Sequence, residues 1–160
     1  MKKPVNKKLF FVCPVCQMEQ FIRKQFGDVY FVTAQAAIFD FEDAEFTNEI
    51  RSFIKNRSIT DVYAACDINC NFLNESMHPS ALHRLRWEEV IENLRTSYDS
   101  VYTLAEKLVR RQTRLLKRNL GLSGRPGETK VHGLVTSKSN GIITVIYTGS
   151  QAELFAINRN

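Results

Sequence analysis

The chain has 160 residues, of which 44% are hydrophobic and 24% are charged, as is typical of one globular domain. No apolar run approaches the roughly 18 residues that a membrane span needs, and the basic residues 1–8 precede an apolar segment too short for a secretory signal. These patterns predict a cytoplasmic protein that does not associate with a membrane. The net charge of +5 permits an acidic partner without requiring one.

The first half of the chain alternates short apolar strands with amphipathic helices. Buried strands are predicted at residues 9–12, 29–33 and 61–65, and helices with apolar side chains at helical spacing at 17–26 and 43–56. This strand–helix order predicts a mostly parallel sheet with right-handed crossovers.

The second half is first helical and then forms a hairpin. The predicted elements are helices at 84–98 and 101–120, a loop at 121–128, strands at 131–136 and 142–148, and a last edge strand or docked tail at 152–157. Asn140-Gly141 between two apolar runs is typical of a hairpin. We therefore expect one α/β domain over residues 1–160, with residues 1–8 as a basic tail and a late antiparallel hairpin at one sheet edge.

Four cysteines fall in two pairs, each where a predicted buried strand ends. Cys13 and Cys16 follow the first strand, and Cys66 and Cys70 follow the third. Ligands gather beyond the carboxyl ends of parallel strands, so we expect Cys13 and Cys70 to be neighbours at one edge of the sheet. Cysteine pairs in a reducing compartment favour metal or redox chemistry over structural disulfides. Cys66 extends its strand and is expected to be a buried apolar side chain.

A metal site is the first interpretation of these thiols. Thiolates are soft ligands, and four-coordinate zinc accepts mixed sets of cysteine, histidine and carboxylate. Asp67 could supply an oxygen to a zinc ion held by Cys13 and Cys70. Three histidines are possible ligands that the sequence does not place: His78, His83 and His132.

A redox interpretation competes for the first pair. Cys13 and Cys16 form a CxxC motif between a strand and a helix, the arrangement of thioredoxin-like thiol–disulfide proteins. A cysteine at a helix N-terminus has a lowered pKa because the helix dipole and free N–H groups stabilise its thiolate. That family also places a cis-proline opposite the motif, and the only late proline, Pro126, lies in a glycine-rich loop.

A third interpretation is a binding protein that uses its basic helix, 101–120. Its cations face away from the leucines: Lys107, Arg110, Arg111, Arg114, Lys117 and Arg118. Such a stripe can contact phosphates or an acidic protein, but more often it is a solvated surface. No aromatic residues alternate with these cations, so a nucleic-acid partner is not favoured.

Several motifs occur in the order of a known family. They are CPVCQ at 13–17, GDVYFVTAQAA at 27–37, ITDVYAACDINC at 59–70, and a hairpin at 131–143 with Gly133 in its first strand and Gly141 in its turn. This order resembles the β-class carbonic anhydrases, whose corresponding motifs are Cys-x-Asp-x-Arg, a Gly-Asp turn with Arg-Asn-Ala-Gly, and His-x-x-Cys-Gly. The resemblance implies three layers around a central sheet, a zinc cofactor and a possible homodimer.

The resemblance also implies a changed active site. Of the family's zinc ligands, two cysteines and a histidine, the cysteines correspond to Cys13 and Cys70, and Asp67 takes the histidine position. Val15 and Gln17 replace the family's aspartate–arginine pair. The implied metal ligands are therefore Cys13, Asp67 and Cys70, with Cys16 as a possible fourth.

Two thiolates and a carboxylate give a Zn²⁺ site a net charge of −1, which opposes the acidification of bound water that hydration requires. If active, the protein would be a zinc-dependent lyase of the carbonate dehydratase type. The preferred interpretation is a pseudoenzyme of unknown physiological role that lacks efficient carbon dioxide hydration.

Overall fold

One five-stranded sheet organises the residues that the computed structural model describes, which are 5–78, 85–122 and 124–149. Its strands are β1 (Lys7–Val12), β2 (Tyr30–Thr33), β3 (Ile59–Asp67), β4 (Lys130–Ser137) and β5 (Ile142–Tyr147). The helices are α1 (Glu19–Phe26), α2 (Ala44–Arg57), α3 (Asn71–Ser76), α4 (Arg86–Leu94) and α5 (Val101–Asn119).

The strand order is β2-β1-β3-β4-β5. β1 pairs in parallel with β2 and β3, and β3 pairs in parallel with β4, whereas β5 runs antiparallel to β4. The β4–β5 link is a 3₁₀ turn, Lys138–Asn140, followed by Gly141 in the left-handed conformation with φ 67°, which glycine adopts without strain. The predicted mostly parallel sheet with a late antiparallel hairpin is confirmed.

Helices cover both faces of the sheet. On one face Phe11 and Val62 belong to a core that α2, α3, α4 and α5 complete, with Leu104 of α5 fully buried. On the other face Phe10 and Tyr63 pack with Met18 and with Ile22 of α1, and the rings of Phe10 and Tyr63 stack at 4.4 Å. The domain therefore has the expected three layers.

α5 packs closely against the sheet at Gly133 in β4. A Cβ atom there would lie 2.6 Å from Val109 Cγ1 and 2.8 Å from Thr113 Cγ2, both in α5. Such distances are shorter than van der Waals contact. The absence of a side chain at residue 133 therefore allows α5 to pack directly against β4.

Several boundaries differ from the sequence prediction. β3 continues to Asp67 because Cys66 and Asp67 still pair with β4. β1 begins at Lys7, so the last two residues of the predicted basic tail belong to a strand. The helix predicted at 84–98 is shorter, because the chain turns to an extended conformation at Arg95. The short helix α3 was not predicted as a separate element.

Some predictions fall outside the described residues. These are the ligand candidate His83, the start of the predicted helix at residue 84, and the last strand or tail at 152–157. Among the helices that are described, none is both long enough and apolar enough to cross a bilayer.

Candidate metal centre

The first thiol loop begins where β1 ends. Cys13 is still extended, with φ −82° and ψ 130°, and Pro14 then opens a 3₁₀ turn that closes at Cys16. Proline suits the first position of such a turn because its φ is already helical. The 3₁₀ turn brings Cys16 back towards Cys13, and Gln17 follows in the left-handed region, φ 49° and ψ 50°, which redirects the chain before α1.

The second thiol loop begins where β3 ends. The N–H of Cys70 donates to the carbonyl of Asp67 at 3.1 Å, and the N–H of Asn74 donates to the carbonyl of Cys70 at 3.0 Å. Cys70 thus occupies the N-cap position of α3, with extended φ and ψ. Because β1 and β3 are adjacent and parallel, their loops leave the sheet at the same edge.

Three of the four cysteines meet at this edge. The Sγ atoms of Cys13, Cys16 and Cys70 all lie within 4.8 Å of one another. Cys13 and Cys70 are buried, at 4% and 1% exposure, whereas Cys16 is partly exposed. The predicted proximity of Cys13 and Cys70 is confirmed, and Cys16 completes a cluster of three soft donors.

The three thiols share their protons unequally. Hydrogen bonds from the thiols of Cys16 and then Cys70 lower the pKa of Cys13. The same contacts raise the pKa of Cys16, because its proton is held between sulfur atoms. The hydrogen bond with Cys13 raises the pKa of Cys70 to about 11. The three thiols are therefore linked through shared hydrogen bonds, and a bound cation would take the place of thiol protons.

Asp67 lies outside this group of donors. Its Oδ2 accepts from Thr136 Oγ1 and from the N–H of Lys138, each at 2.8 Å, and its Oδ1 accepts from the N–H of Asn69 at 2.9 Å. Thr136 also contacts the sulfur of Met18, which belongs to the core on the α1 face. The carboxylate is thus hydrogen-bonded on the face of the sheet opposite the core that contains Cys13 and Cys70, and its role as a metal ligand stays a prediction.

The remaining candidate donors lie apart from the cluster. Cys66 is buried, and burial raises its pKa well above the ordinary value, as expected for an apolar strand residue. His132 Nε2 is hydrogen-bonded to Asp61 Oδ1 at 2.9 Å, near the start of β3 and β4 rather than at their ends. His78 is exposed, and neither histidine belongs to a group of potential metal donors within the described residues.

A backbone element beside the cluster was missed by the sequence analysis. After β2 a 3₁₀ turn, Gln35–Ala37, places Ala36 and Ala37 in the left-handed region with φ 54° and 55°. The peptide N–H of Ala36 helps to lower the pKa of Cys13. The available signal was the position of Ala37, which corresponds to the glycine of the family's Arg-Asn-Ala-Gly segment, although alanine gives no local sign of such a conformation.

The basic helix is partly neutralised within the chain. Lys107 Nζ lies 2.7 Å from Asp99 Oδ2, Arg110 lies 3.0 Å from Glu106, and Lys117 Nζ donates to Tyr147 Oη at 2.8 Å. Burial lowers the pKa of Arg111, so its guanidinium is not fully available to solvent. These contacts engage three of the six cations and Arg111 is partly buried, and the use of this helix as a binding surface stays a prediction.

Comparison with known proteins finds solved structures of similar fold but no match by sequence. No protein-family profile and no curated protein matches the chain. A tetrameric β-carbonic anhydrase of Sordaria macrospora superposes with a TM-score of 0.71 at 16% identity, over 89% of this chain and 81% of that one. The Coccomyxa β-carbonic anhydrase, solved with acetazolamide, gives 0.72 at 13% identity, over 97% and 79%. The Aspergillus fumigatus β-carbonic anhydrase CafD gives 0.71 at 13% identity, over 90% and 91%.

The superpositions extend over most of each compared chain, whereas the identities are too low to transfer an activity. The suggested resemblance is thus confirmed for the architecture, including the mostly parallel sheet and its antiparallel edge pair. The chain has the β-carbonic anhydrase fold, in a strongly diverged sequence.

Proposed function

We propose that this protein is a zinc-binding member of the β-carbonic anhydrase fold that has lost efficient carbon dioxide hydration. The observation that carries the proposal is the cluster of Cys13, Cys16 and Cys70, whose Sγ atoms lie within 4.8 Å of one another. Zn–S bonds of about 2.3 Å in a tetrahedron place sulfur atoms about 3.8 Å apart. The sulfur separations are therefore at most about 1 Å longer than that spacing.

The donor set suits tight binding better than hydration. Bound zinc acts as a Lewis acid that lowers the pKa of a coordinated water. Three thiolates bring a charge of −3 to the site, where the two cysteines and one histidine of the family bring −2, so this set neutralises more of the cation's charge. The thiolates therefore weaken the acidification on which hydration depends.

The family's aspartate–arginine pair has no counterpart at the corresponding positions of this chain. Val15 and Gln17 stand at the positions of the family's aspartate and arginine, and both are exposed. Neither side chain titrates near neutral pH. This supports a site that holds a metal without efficient turnover.

Metal analysis tests the first half of the proposal. Protein purified without added metal is expected to carry close to one zinc per chain, with three sulfur ligands by X-ray absorption at the zinc edge. Cys16→Ser should lose zinc, whereas Cys66→Ser, which changes a buried cysteine outside the cluster, should keep it. Less than about a tenth of an equivalent, unchanged after zinc addition, would overturn the metal site, because structural zinc normally survives purification.

The same spectrum distinguishes the two possible ligand sets. Three sulfur neighbours correspond to Cys13, Cys16 and Cys70. Two sulfur and one carboxylate oxygen neighbour correspond to Cys13, Cys70 and Asp67. Asp67 lies outside the group of donors within 4.8 Å of one another, and its Oδ2 is hydrogen-bonded to Thr136 and Lys138, so we favour the three-sulfur result.

Stopped-flow hydration of carbon dioxide tests the second half. The zinc-loaded protein is expected to give no rate above buffer. Turnover comparable with an active β-carbonic anhydrase measured in parallel would refute the pseudoenzyme assignment, even if the zinc content were as expected.

The proposal includes a homodimer and a reducing compartment. The sheet ends at β5, whose outer edge pairs with no described strand and carries Ile142 at 53% exposure, and such edges favour pairing with another chain. All four cysteines are free, which suits the cytoplasm. Light scattering coupled to size exclusion should give twice the chain mass of 18.4 kDa, and a monomer across the micromolar range would contradict the dimer.

A further inference from the structure

We propose that Lys138 is a positioning residue that holds Cys16 in the thiol cluster and joins the two cysteine loops. The backbone N–H of Lys138 donates to Asp67 Oδ2 at 2.8 Å, and its ammonium Nζ donates to the carbonyl of Cys16 at 2.9 Å and to that of Gln17 at 3.5 Å. One residue of the β4–β5 hairpin thus contacts both loops. This inference rests on the proposed metal site but assigns a role to residues outside it.

Cys16 is the member of the cluster that most needs such a contact. Cys13 and Cys70 are almost fully buried in the main core, so packing fixes them. Cys16 is partly exposed and lies at the end of a three-residue turn. Short turns of this kind have few internal hydrogen bonds, so their position depends on external contacts.

The residue after Cys16 increases this dependence. Gln17 has φ 49°, a left-handed conformation that side chains with a Cβ atom disfavour and that persists only where neighbouring groups impose it. The carbonyls of Cys16 and Gln17 end the turn without helical partners. The Lys138 ammonium binds both, and a charge-assisted bond of this kind is stronger than a neutral one.

The other end of the link is rigid. Asp67 is 3% exposed and Thr136 is 1% exposed, and the two are joined by a hydrogen bond of 2.8 Å. The N–H of Ile68 donates to the carbonyl of Thr136 at 2.9 Å, and Asn69 Nδ2 donates to Ser139 Oγ at 2.9 Å. The loop that carries Cys70 is therefore fastened to the same hairpin from which Lys138 extends. Asp67 therefore fixes the position of the Lys138 backbone relative to the loop that carries Cys70.

The test compares Lys138→Met with Lys138→Arg. Methionine keeps much of the apolar stem and removes the ammonium, whereas arginine restores a cationic donor. In metal-free protein, alkylation of Cys16, followed by mass spectrometry of its peptide, should be about tenfold faster in Lys138→Met, the change expected when one charge-assisted hydrogen bond is lost. Lys138→Arg should return the rate towards wild type, and Cys66 should not change.

Zinc affinity gives the second measurement. Competition with a chromophoric chelator should show zinc held about tenfold more weakly by Lys138→Met, with partial recovery in Lys138→Arg. Lys55→Met is the matched control, because it removes the same charge from an exposed position in α2, next to the opposite end of the sheet. It should leave both the alkylation of Cys16 and the zinc affinity unchanged.

Two outcomes would overturn the inference. In the first, Cys16 is alkylated at the wild-type rate in both Lys138→Met and Lys138→Ala. In the second, Lys55→Met speeds the alkylation of Cys16 as much as the Lys138 variants do. Lys138 is exposed, so both variants are expected to fold, and circular dichroism checks this. If the wild type binds no zinc, the proposed function fails, while the alkylation rates of the metal-free proteins still decide the role of Lys138.

Discussion

The two ends of the sheet bury polar groups in different ways. Where β3 and β4 begin, Asp61 and His132 are hydrogen-bonded at 2.9 Å with only 2% exposure each. Thr60 Oγ1 donates to Asp61 Oδ2 at 2.6 Å, and His132 Nδ1 is hydrogen-bonded to Thr148 Oγ1 at 2.9 Å. Where β1 and β3 end, the buried carboxylate of Asp67 is also paired, with Thr136 and Lys138, but the three clustered thiols contact mainly one another.

The amino ends of the strands mainly stabilise the fold, whereas we propose that the carboxyl ends bind the ligand. A buried carboxylate and imidazole are costly unless they are paired, so their complete pairing makes the amino ends of β3 and β4 an element that stabilises the fold. Thiols are weak hydrogen-bonding groups, so removing one costs little and a soft metal can displace their protons. The division matches the general rule that ligands bind beyond the carboxyl ends of parallel strands.

The largest expected difference between the two ends is in stability, when one buried polar group is removed at each end. Asp61→Ala should lower the free energy of unfolding by about 3–5 kcal/mol, because it removes a buried carboxylate that is hydrogen-bonded to His132 Nε2. Cys16→Ala should lower that of the metal-free protein by less than about 1 kcal/mol, since a partly exposed thiol loses little contact. Urea unfolding measures both.

Asp61→Asn is the matched control at the amino end. Its amide oxygen can still accept from His132 Nε2, so the loss should be smaller than for Asp61→Ala. If Cys16→Ala destabilised the metal-free protein as much as Asp61→Ala, the thiol cluster would be a structural element, and the separation of the two ends would be wrong.

Alkaline pH should lower stability through the thiols at the carboxyl ends of the strands. The raised pKa values of Cys16, Cys66 and Cys70 mean that these thiols stay protonated in the folded state above pH 9, where unfolded thiols ionise. The unfolded state then binds fewer protons, so stability falls as pH rises, by about 1.4 kcal/mol per unit and per thiol. For Cys70 this extends from the ordinary value of 9.0 to about 11, a loss of about 2–3 kcal/mol. The lowered pKa of Cys13 acts only below pH 9.

Urea unfolding of metal-free protein at pH 8, 9, 10 and 11 measures this loss. Cys66→Ala removes one of the thiols and should give a shallower slope above pH 9, whereas tyrosines and lysines contribute equally to both proteins. Parallel slopes in the wild type and Cys66→Ala would contradict the assigned rise in the pKa of Cys66.

The sequence predicts most of this fold because its strands are short apolar runs in a fixed order with the helices. The parallel pairing follows from that order, and the hairpin follows from Asn140-Gly141 between two apolar runs. Gly133 was identified only through the family resemblance. Its physical reason, the closeness of Val109 and Thr113 in α5, depends on a packing that the sequence does not display.

The site was harder to predict because side chains alternate along a strand. A third strand ending at residue 65 left Asp67 in a loop, free to turn towards Cys13 and Cys70. In the structure β3 continues to Asp67 because it pairs with Thr136 of β4, which places Cys66 and Asp67 on opposite faces. Cys16 instead reaches the cluster through the 3₁₀ turn Pro14–Cys16, a turn that the sequence analysis did not predict.

The smallest expected effect concerns strain at the amino end. Ser58 ends α2 with φ 54°, and its N–H donates to the carbonyls of Ile54 and Lys55, a position where glycine is preferred. Ser58→Gly should raise the free energy of unfolding by about 0.5–1 kcal/mol, whereas Ser52→Gly, the same change inside α2, should lower it by about 0.5 kcal/mol. Zinc affinity should stay unchanged in both, because α2 ends at the edge opposite the cysteines. A gain in stability from Ser58→Gly that also altered zinc affinity would mean that the two ends are energetically coupled.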